Sequence, residues 1–86
     1  MYSLVVHKRA LDASRSFPAA DLERIIEAVW ALASEARPFG SKKLRGYIAR
    51  YRVRCGSYRI VYEINDDDKI VKVLVVGHRK DVYRSL

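Results

Sequence analysis

Apolar residues recur along the chain with two different periods, and the change of period divides it into a helical half and a strand half. Residues 19–36 place apolar side chains three and four positions apart, which predicts an amphipathic helix. Residues 8–16 carry Ala10 and Ala13 three positions apart and predict a shorter helix before it, with Pro18 between the two. The apolar stripe of the longer helix consists of Leu22, Ile25, Ile26, Val29, Leu32 and Ala33.

Four further segments alternate apolar and polar residues or are almost continuously apolar, as β-strands are. They span residues 2–7, 48–55, 58–64 and 70–76. A strand, two helices and a three-stranded meander therefore follow one another, which favours an α+β fold. We expect the N-terminal strand and the two-helix hairpin to pack on an antiparallel β-sheet, with residues 1–86 forming one domain.

The Gly56-Ser57 pair predicts a hairpin with a fixed register, because a two-residue loop with glycine first suits a type II′ turn. One face of the hairpin is then apolar or aromatic and pairs Cys55 with Tyr58, Val53 with Ile60, and Tyr51 with Tyr62. The other face pairs Arg54 with Arg59, Arg52 with Val61, and Arg50 with Glu63.

The charged face of this hairpin is a poor choice for stability alone, because like charges directly opposite one another destabilise a sheet. Guanidinium groups bind phosphate through two parallel hydrogen bonds, so the pattern favours a phosphate clamp. The alternative is an ordinary solvated strand face, which predicts charges of mixed sign. If the last strand returns antiparallel, its end lies near the turn and brings His78, Arg79 and Tyr83 to the arginines. Histidine changes charge near neutral pH, which makes His78 the candidate acid or base.

The distribution of charge along the chain also indicates a polyanionic partner. The chain has 17 basic and 10 acidic residues, a net charge of +7. Residues 1–40 are balanced, so the whole excess lies in residues 41–86. Such clustering is typical of nucleic-acid binding. Besides the hairpin arginines, the cations of this half that we expect to contact the nucleic acid are Lys42, Lys43, Arg45 and Arg50.

Other features argue against several classes of protein. Cys55 is the only cysteine, so no internal disulfide can form. The N-terminal residues lack the charged and apolar regions of a signal peptide, and no apolar run approaches the ~18 residues of a membrane helix. His7 and His78 are far apart, and the acids at 66–68 fall in a loop, so we expect no metal and no cofactor. We therefore expect a cytoplasmic protein without membrane contact.

Four segments resemble, in residues and in order, the RelE/ParE toxin superfamily of type II toxin–antitoxin systems. They are Lys43-Leu44-Arg45-Gly46, Tyr51-Arg52-Val53-Arg54, Tyr58-Arg59-Ile60-Val61-Tyr62 and Val76-Gly77-His78-Arg79-Lys80-Asp81-Val82-Tyr83. The resemblance implies a microbial RNase-like α+β fold. RelE-like toxins are mRNA interferases that cut mRNA in the ribosomal A site, and an antitoxin wrapped around them silences them. ParE toxins share the fold but poison DNA gyrase and cut no RNA.

The resemblance also implies roles for individual residues. Arg52 and Arg54 match the two basic residues of the RelE active-site strand, which are lysines in RelE itself. Arg59 and Arg79 match arginines on the following strand and after the last strand. Tyr83 matches the C-terminal tyrosine, and Arg45 matches an RNA-contacting arginine. The candidate catalytic set is Arg52, Arg54, Arg59, His78, Arg79 and Tyr83.

The implied function is inhibition of translation by a metal-independent, ribosome-dependent mRNA endoribonuclease. Its partners are mRNA, the ribosome and a cognate antitoxin, with operator DNA reached only through the antitoxin complex. The alternatives are a ParE-like gyrase inhibitor without nuclease activity and an inactive, antitoxin-bound scaffold. We expect an acidic, partly helical antitoxin that covers the basic face and the apolar residues Val61, Leu74 and Val76, which the predicted register leaves exposed.

Overall fold

The computed structural model describes residues 1–82, and within them five strands form one mixed sheet. The elements are β1 (Ser3–Val6), α1 (Lys8–Ser14), α2 (Ala19–Ala31), β2 (Lys42–Lys43), β3 (Arg50–Cys55), β4 (Tyr58–Asn65) and β5 (Ile70–His78). Their order across the sheet is β1-β5-β4-β3-β2. The main core joins both helices to one face of this sheet, so the predicted α+β fold is confirmed. None of the described helices is long and apolar enough to span a membrane.

The second helix ends earlier than its apolar pattern predicts. It stops at Ala31, and the next residues form tight turns in which Leu32 and Ala33 donate to carbonyls three residues back. Leu32, Ala33 and Ala36 nevertheless remain buried. The apolar pattern therefore continues to residue 36 because the chain stays against the core after the helix has ended.

The N-terminal strand joins the sheet in an orientation that the sequence did not predict. β1 runs parallel to β5, with Ser3 opposite Ile70 and Val6 opposite Val73. The strands β3, β4 and β5 are antiparallel, as expected for the meander, and β2, which the sequence did not predict, pairs antiparallel with β3. The four strands β2 to β5 thus form an antiparallel sheet, and the parallel β1 makes the five-stranded sheet mixed.

The predicted register of the central hairpin is confirmed at all six positions of β3 and β4. The next pair of strands contains an irregularity, because Tyr62 lies opposite Val73 whereas Val61 lies opposite Val75. Leu74 is thus an extra residue on β5, a β-bulge. Since side chains alternate between faces, the extra residue places every later residue of β5 on the opposite face from the one it would occupy without the bulge.

The bulge corrects the expectation of an exposed apolar surface for an antitoxin. Val76 lies opposite Ile60 and belongs to the core beneath the helices. Val61 is also fully buried, in a second and smaller cluster on the other face. That cluster contains Val61, Val75 and Val82, with Leu44 and Leu74 packed against it. Val61 and Val76 are therefore buried within the chain, and Leu74 is half-buried.

A polar clamp, formed by Tyr2, Arg37 and Asp66, ties distant parts of the chain together at the β4–β5 loop. Arg37 Nη2 lies 2.9 Å from Asp66 Oδ2, and the Tyr2 hydroxyl donates to Asp66 Oδ1 at 2.5 Å. The hydrogen bond from Arg37, followed by that from Tyr2, lowers the pKa of Asp66 to about 2. The first acid of the 66–68 run thus has a structural role that the sequence did not reveal.

Candidate nucleic-acid interface

The side of the sheet away from the helices carries a cluster of cations, which we call the arginine face and define by Lys42, Arg52, Arg54 and Arg59. Arg54 lies directly opposite Arg59 on the hairpin. Lys42 lies directly opposite Arg52 on the edge strand. Residues opposite one another in an antiparallel pair project from the same face, so the register alone brings the four side chains together. The sequence indicated three of them as a cluster but not Lys42, because β2 has only two residues and no pattern.

Most cations of the arginine face form no ion pair with the residues that the structure describes. Within residues 1–82, no ion pair includes Lys42, Arg52 or Arg54. Arg50 differs, because its Nε donates to Glu63 Oε2 at 3.1 Å, as the register predicted. Arg50 therefore lies neutralised at the end of β3 that is far from the turn, whereas Arg52 and Arg54, which form no ion pair within residues 1–82, lie towards the Gly56-Ser57 turn.

Arg59 is held against the turn rather than extended into solvent. It is 9% exposed, and its Nη1 donates to the carbonyls of Tyr58 at 3.0 Å and Gly56 at 3.3 Å. Burying a cation is costly unless hydrogen bonds compensate, so these bonds fix the guanidinium in one position. A fixed cation loses little conformational freedom when it binds an anion.

The end of β5 reaches the turn, as predicted. Gly77 lies opposite Arg59, and the Arg79 main-chain N–H donates to the Ser57 carbonyl at 2.9 Å. The exposed Arg79 therefore joins the same end of the sheet as Arg54 and Arg59. Tyr83, which the sequence assigned to the cluster, lies outside the described residues.

His78 does not join the arginines, and this corrects the sequence-based prediction. It lies opposite Tyr58, and the centroids of the two rings are 6.1 Å apart in an edge-on arrangement. Tyr58 packs against the main core and donates from its hydroxyl to Asp21 Oδ2 at 3.2 Å. His78 therefore shares the helix-covered side with Tyr58, because the bulge at Leu74 moves the end of β5 by one residue.

The remaining RNA-binding candidates are divided between different surfaces. Lys43 lies opposite Tyr51 and so projects from the opposite side to Lys42. Arg45 is exposed in the loop after β2.

Cys55 is half-buried on the helix side, as predicted, and burial raises the pKa of its thiol. Among residues 1–82, no group of three or more histidine, cysteine or acidic side chains could hold a metal ion.

The chain is similar to known proteins over most of its length. Residues 7–83 match the family described as the ParE toxin of type II toxin–antitoxin systems, parDE. The RelE1 protein of Methanocaldococcus jannaschii is 29% identical over 87 residues, covering 98% of this chain and 97% of the relative.

Solved structures extend the similarity to the fold. The archaeal RelE–RelB complex from Pyrococcus horikoshii contains a chain 35% identical to this one, with a TM-score of 0.81. The match covers 91% of this chain and 94% of that one. The intact E. coli RelBE toxin–antitoxin complex gives 29% identity and a TM-score of 0.79, covering 91% and 96% of the two chains. The matched structures carry the RelE name, whereas the matched family carries the ParE name.

Proposed function

The chain belongs to the ParE toxin family of type II toxin–antitoxin systems and is RelE-like, and from this premise we propose that it is a ribosome-dependent mRNA endoribonuclease that inhibits translation. The single observation that carries the proposal is the arginine face. Lys42, Arg52 and Arg54 project together without a carboxylate partner within residues 1–82. A phosphate backbone supplies the negative charge that such a surface lacks.

The proposed chemistry is attack of a ribose 2′-oxygen on the adjacent phosphorus. The 2′-O–P bond forms as the P–O5′ bond breaks, which leaves a 2′,3′-cyclic phosphate, while solvent water takes the 2′ proton and protonates the departing 5′-oxygen. The pentavalent phosphorane carries extra negative charge, and fixed cations that stabilise it lower the barrier. Arg54, Arg59 and Arg79 lie around the Gly56-Ser57 turn, where they would contact the same phosphate. Lys42 and Arg52 would hold the neighbouring backbone. Arginine remains protonated at neutral pH, so these residues supply charge rather than proton transfer.

We also propose a cognate antitoxin as the physiological partner of this chain. The matched structures from P. horikoshii and E. coli are titled as complexes of RelE with RelB. The excess of basic residues favours an acidic antitoxin segment over the arginine face, where it would exclude RNA. In this proposal, operator DNA is contacted only through the antitoxin complex.

The gyrase-inhibitor alternative has less support. It rests on the name of the matched family, whereas the curated relative and the matched structures that cover the chain carry the RelE name. A gyrase inhibitor would bind protein, whereas cations directly opposite one another on a hairpin favour a partner that carries phosphate.

Brief induction followed by primer-extension mapping of cellular mRNA tests the proposed function. We expect cuts in phase with codons, and their loss in Arg54→Ala, an exposed residue whose removal should leave the fold intact. Lys8→Ala provides a control, because Lys8 is an exposed cation on α1. Intact mRNA together with induction of the DNA-damage response would instead support gyrase inhibition.

A further inference from the structure

Tyr47, in the loop between β2 and β3, lies at the end of β3 furthest from the turn. Its side chain is partly exposed, at 38% of the residue surface. The Arg50 guanidinium carbon lies over the ring, 4.4 Å from its centroid. Because Arg50 is itself held by Glu63, the aromatic ring rests on an ordered cation. One face of the ring is thus fixed from within the protein.

The fold makes little use of this ring. Tyr47 belongs to neither of the two apolar clusters of residues 1–82, and the neighbouring Ile48 is 93% exposed. A cation–π contact at an exposed site contributes only about 0.5–1 kcal/mol. Stability alone is therefore a weak reason for an aromatic residue here.

The ring continues the line of the arginine face. Arg50, Arg52 and Arg54 project from one side of β3 at every second position, about 6.6 Å apart at the usual rise of a strand. Extended single-stranded RNA has a similar distance between phosphates. An RNA chain whose phosphates lie on Arg54 and Arg52 would therefore bring a base to Tyr47, about two or three nucleotides beyond the phosphate on Arg54.

The space around Tyr47 suits a base better than a phosphate. A cavity of about 680 Å³ lies between the 46–50 segment and residues 63–67. Two of its three acids, Glu63 and Asp66, are already matched by Arg50 and Arg37. The exposed Asp67 would repel a phosphate but can accept a hydrogen bond from the amino group of a base.

We propose that Tyr47, stacked on Arg50, is a platform for an unpaired nucleobase of the RNA bound along the arginine face. The inference rests on the proposed function and adds to it the residue that binds the single-stranded substrate away from the reacting phosphate. Aromatic platforms beside a basic groove are a general means of binding single-stranded nucleic acid.

Binding of a short, single-stranded 2′-O-methyl RNA, followed by fluorescence anisotropy, tests the platform without any cleavage. We expect Tyr47→Ala to weaken binding about tenfold, within the range for loss of one stacked base. Tyr47→Phe and Tyr47→Trp should bind like the parent protein, because they keep a ring. Trp30→Ala is the matched control, since Trp30 is an exposed aromatic residue on α2.

A scan with single abasic nucleotides then locates the base. At one position, removing the base should weaken binding by the parent protein but should have no further effect on Tyr47→Ala, since both changes remove the same contact. Additive losses at every position would overturn the platform. RNA binding by Tyr47→Ala that equals that of the parent protein would also overturn it. The same holds if Tyr47→Ala loses affinity for the antitoxin but keeps its affinity for RNA.

The methylated RNA separates this inference from the proposed nuclease, because it has no 2′-hydroxyl to attack. If the protein binds this RNA through Tyr47 but cuts no mRNA, the platform would stand and the proposed nuclease would be wrong. If the parent protein cuts mRNA in phase with codons, and Tyr47→Ala changes neither the cleavage rate nor the affinity for RNA, the proposed nuclease would stand and the platform would be wrong. Failure of the parent protein to bind the methylated RNA would overturn the platform.

Discussion

Single side chains matter in this chain mainly through the face of the sheet from which they project. Arg54 and Arg59 share one face because they lie directly opposite each other in the hairpin. His78 is close to them along the sheet, yet it shares the opposite side with Tyr58. The sequence predicted its proximity to the turn but not its face, because proximity needs only an approximate register and the face needs the register to within one residue.

His78→Gln tests this assignment at the residue scale. We expect RNA cleavage and its pH dependence to remain those of the parent protein, because the imidazole is separated from the arginine face by the sheet. Arg54→Ala should lower the cleavage rate about 100-fold, the effect of removing one group that stabilises transition-state charge. Initial rates measured across a range of pH check both variants. A titration that disappears from the His78→Gln profile would show that the histidine takes part in proton transfer.

Among the elements, the central hairpin could be predicted and the strand that follows it could not. Gly56-Ser57 specifies the hairpin register through turn geometry. The bulge at Leu74 lies within a nearly continuous apolar run, where an extra residue leaves no change of pattern. Without the bulge, Val76 and His78 would project from the arginine face. The two-residue β2, which brings Lys42 to Arg52, is likewise too short to predict.

The polar clamp gives the β4–β5 loop a pH-dependent contribution to stability. Because the folded-state pKa of Asp66 is lowered from 3.8 to about 2, its carboxylate stabilises the fold above the ordinary pKa of aspartate. This contribution should disappear as the pH falls towards about 2. Asp66→Asn should lower the urea midpoint at neutral pH and reduce its fall in acid, whereas Asp67→Asn, on the same loop, should change neither. Equal midpoints for Asp66→Asn and the parent protein at neutral pH would show that the clamp adds no stability.

Considered as a whole molecule, the chain separates its charge from its core. The helices cover one side of the sheet, and the basic excess of residues 41–86 is concentrated on β2, β3 and the adjoining loops. The sequence predicted the fold and the charge asymmetry, because both follow from long patterns of residue type. It could not predict how many cations remain without carboxylates, since that also depends on contacts between distant loops such as Arg37–Asp66.

Salt dependence of RNA binding measures this arrangement for the whole molecule. Each cation that neutralises a phosphate of single-stranded RNA contributes about −0.7 to the slope of log affinity against log salt. Lys42→Ala, Arg52→Ala and Arg54→Ala should each make the slope shallower by about this amount. Arg24→Ala, which removes a cation paired with Asp21 on α2, should leave the slope unchanged. Equal effects of all four substitutions would indicate binding through overall charge rather than through the arginine face.

Cleavage of mRNA on purified, programmed ribosomes is the most direct measurement of the central claim that cations gathered on one side of the sheet act on RNA phosphate. The purified chain should cut the message at the codon in the A site, and Arg52→Ala and Arg54→Ala should cut it far more slowly while keeping the thermal stability of the parent protein. Uncut message with the folded parent protein, or cutting that is indifferent to both substitutions, would contradict the claim.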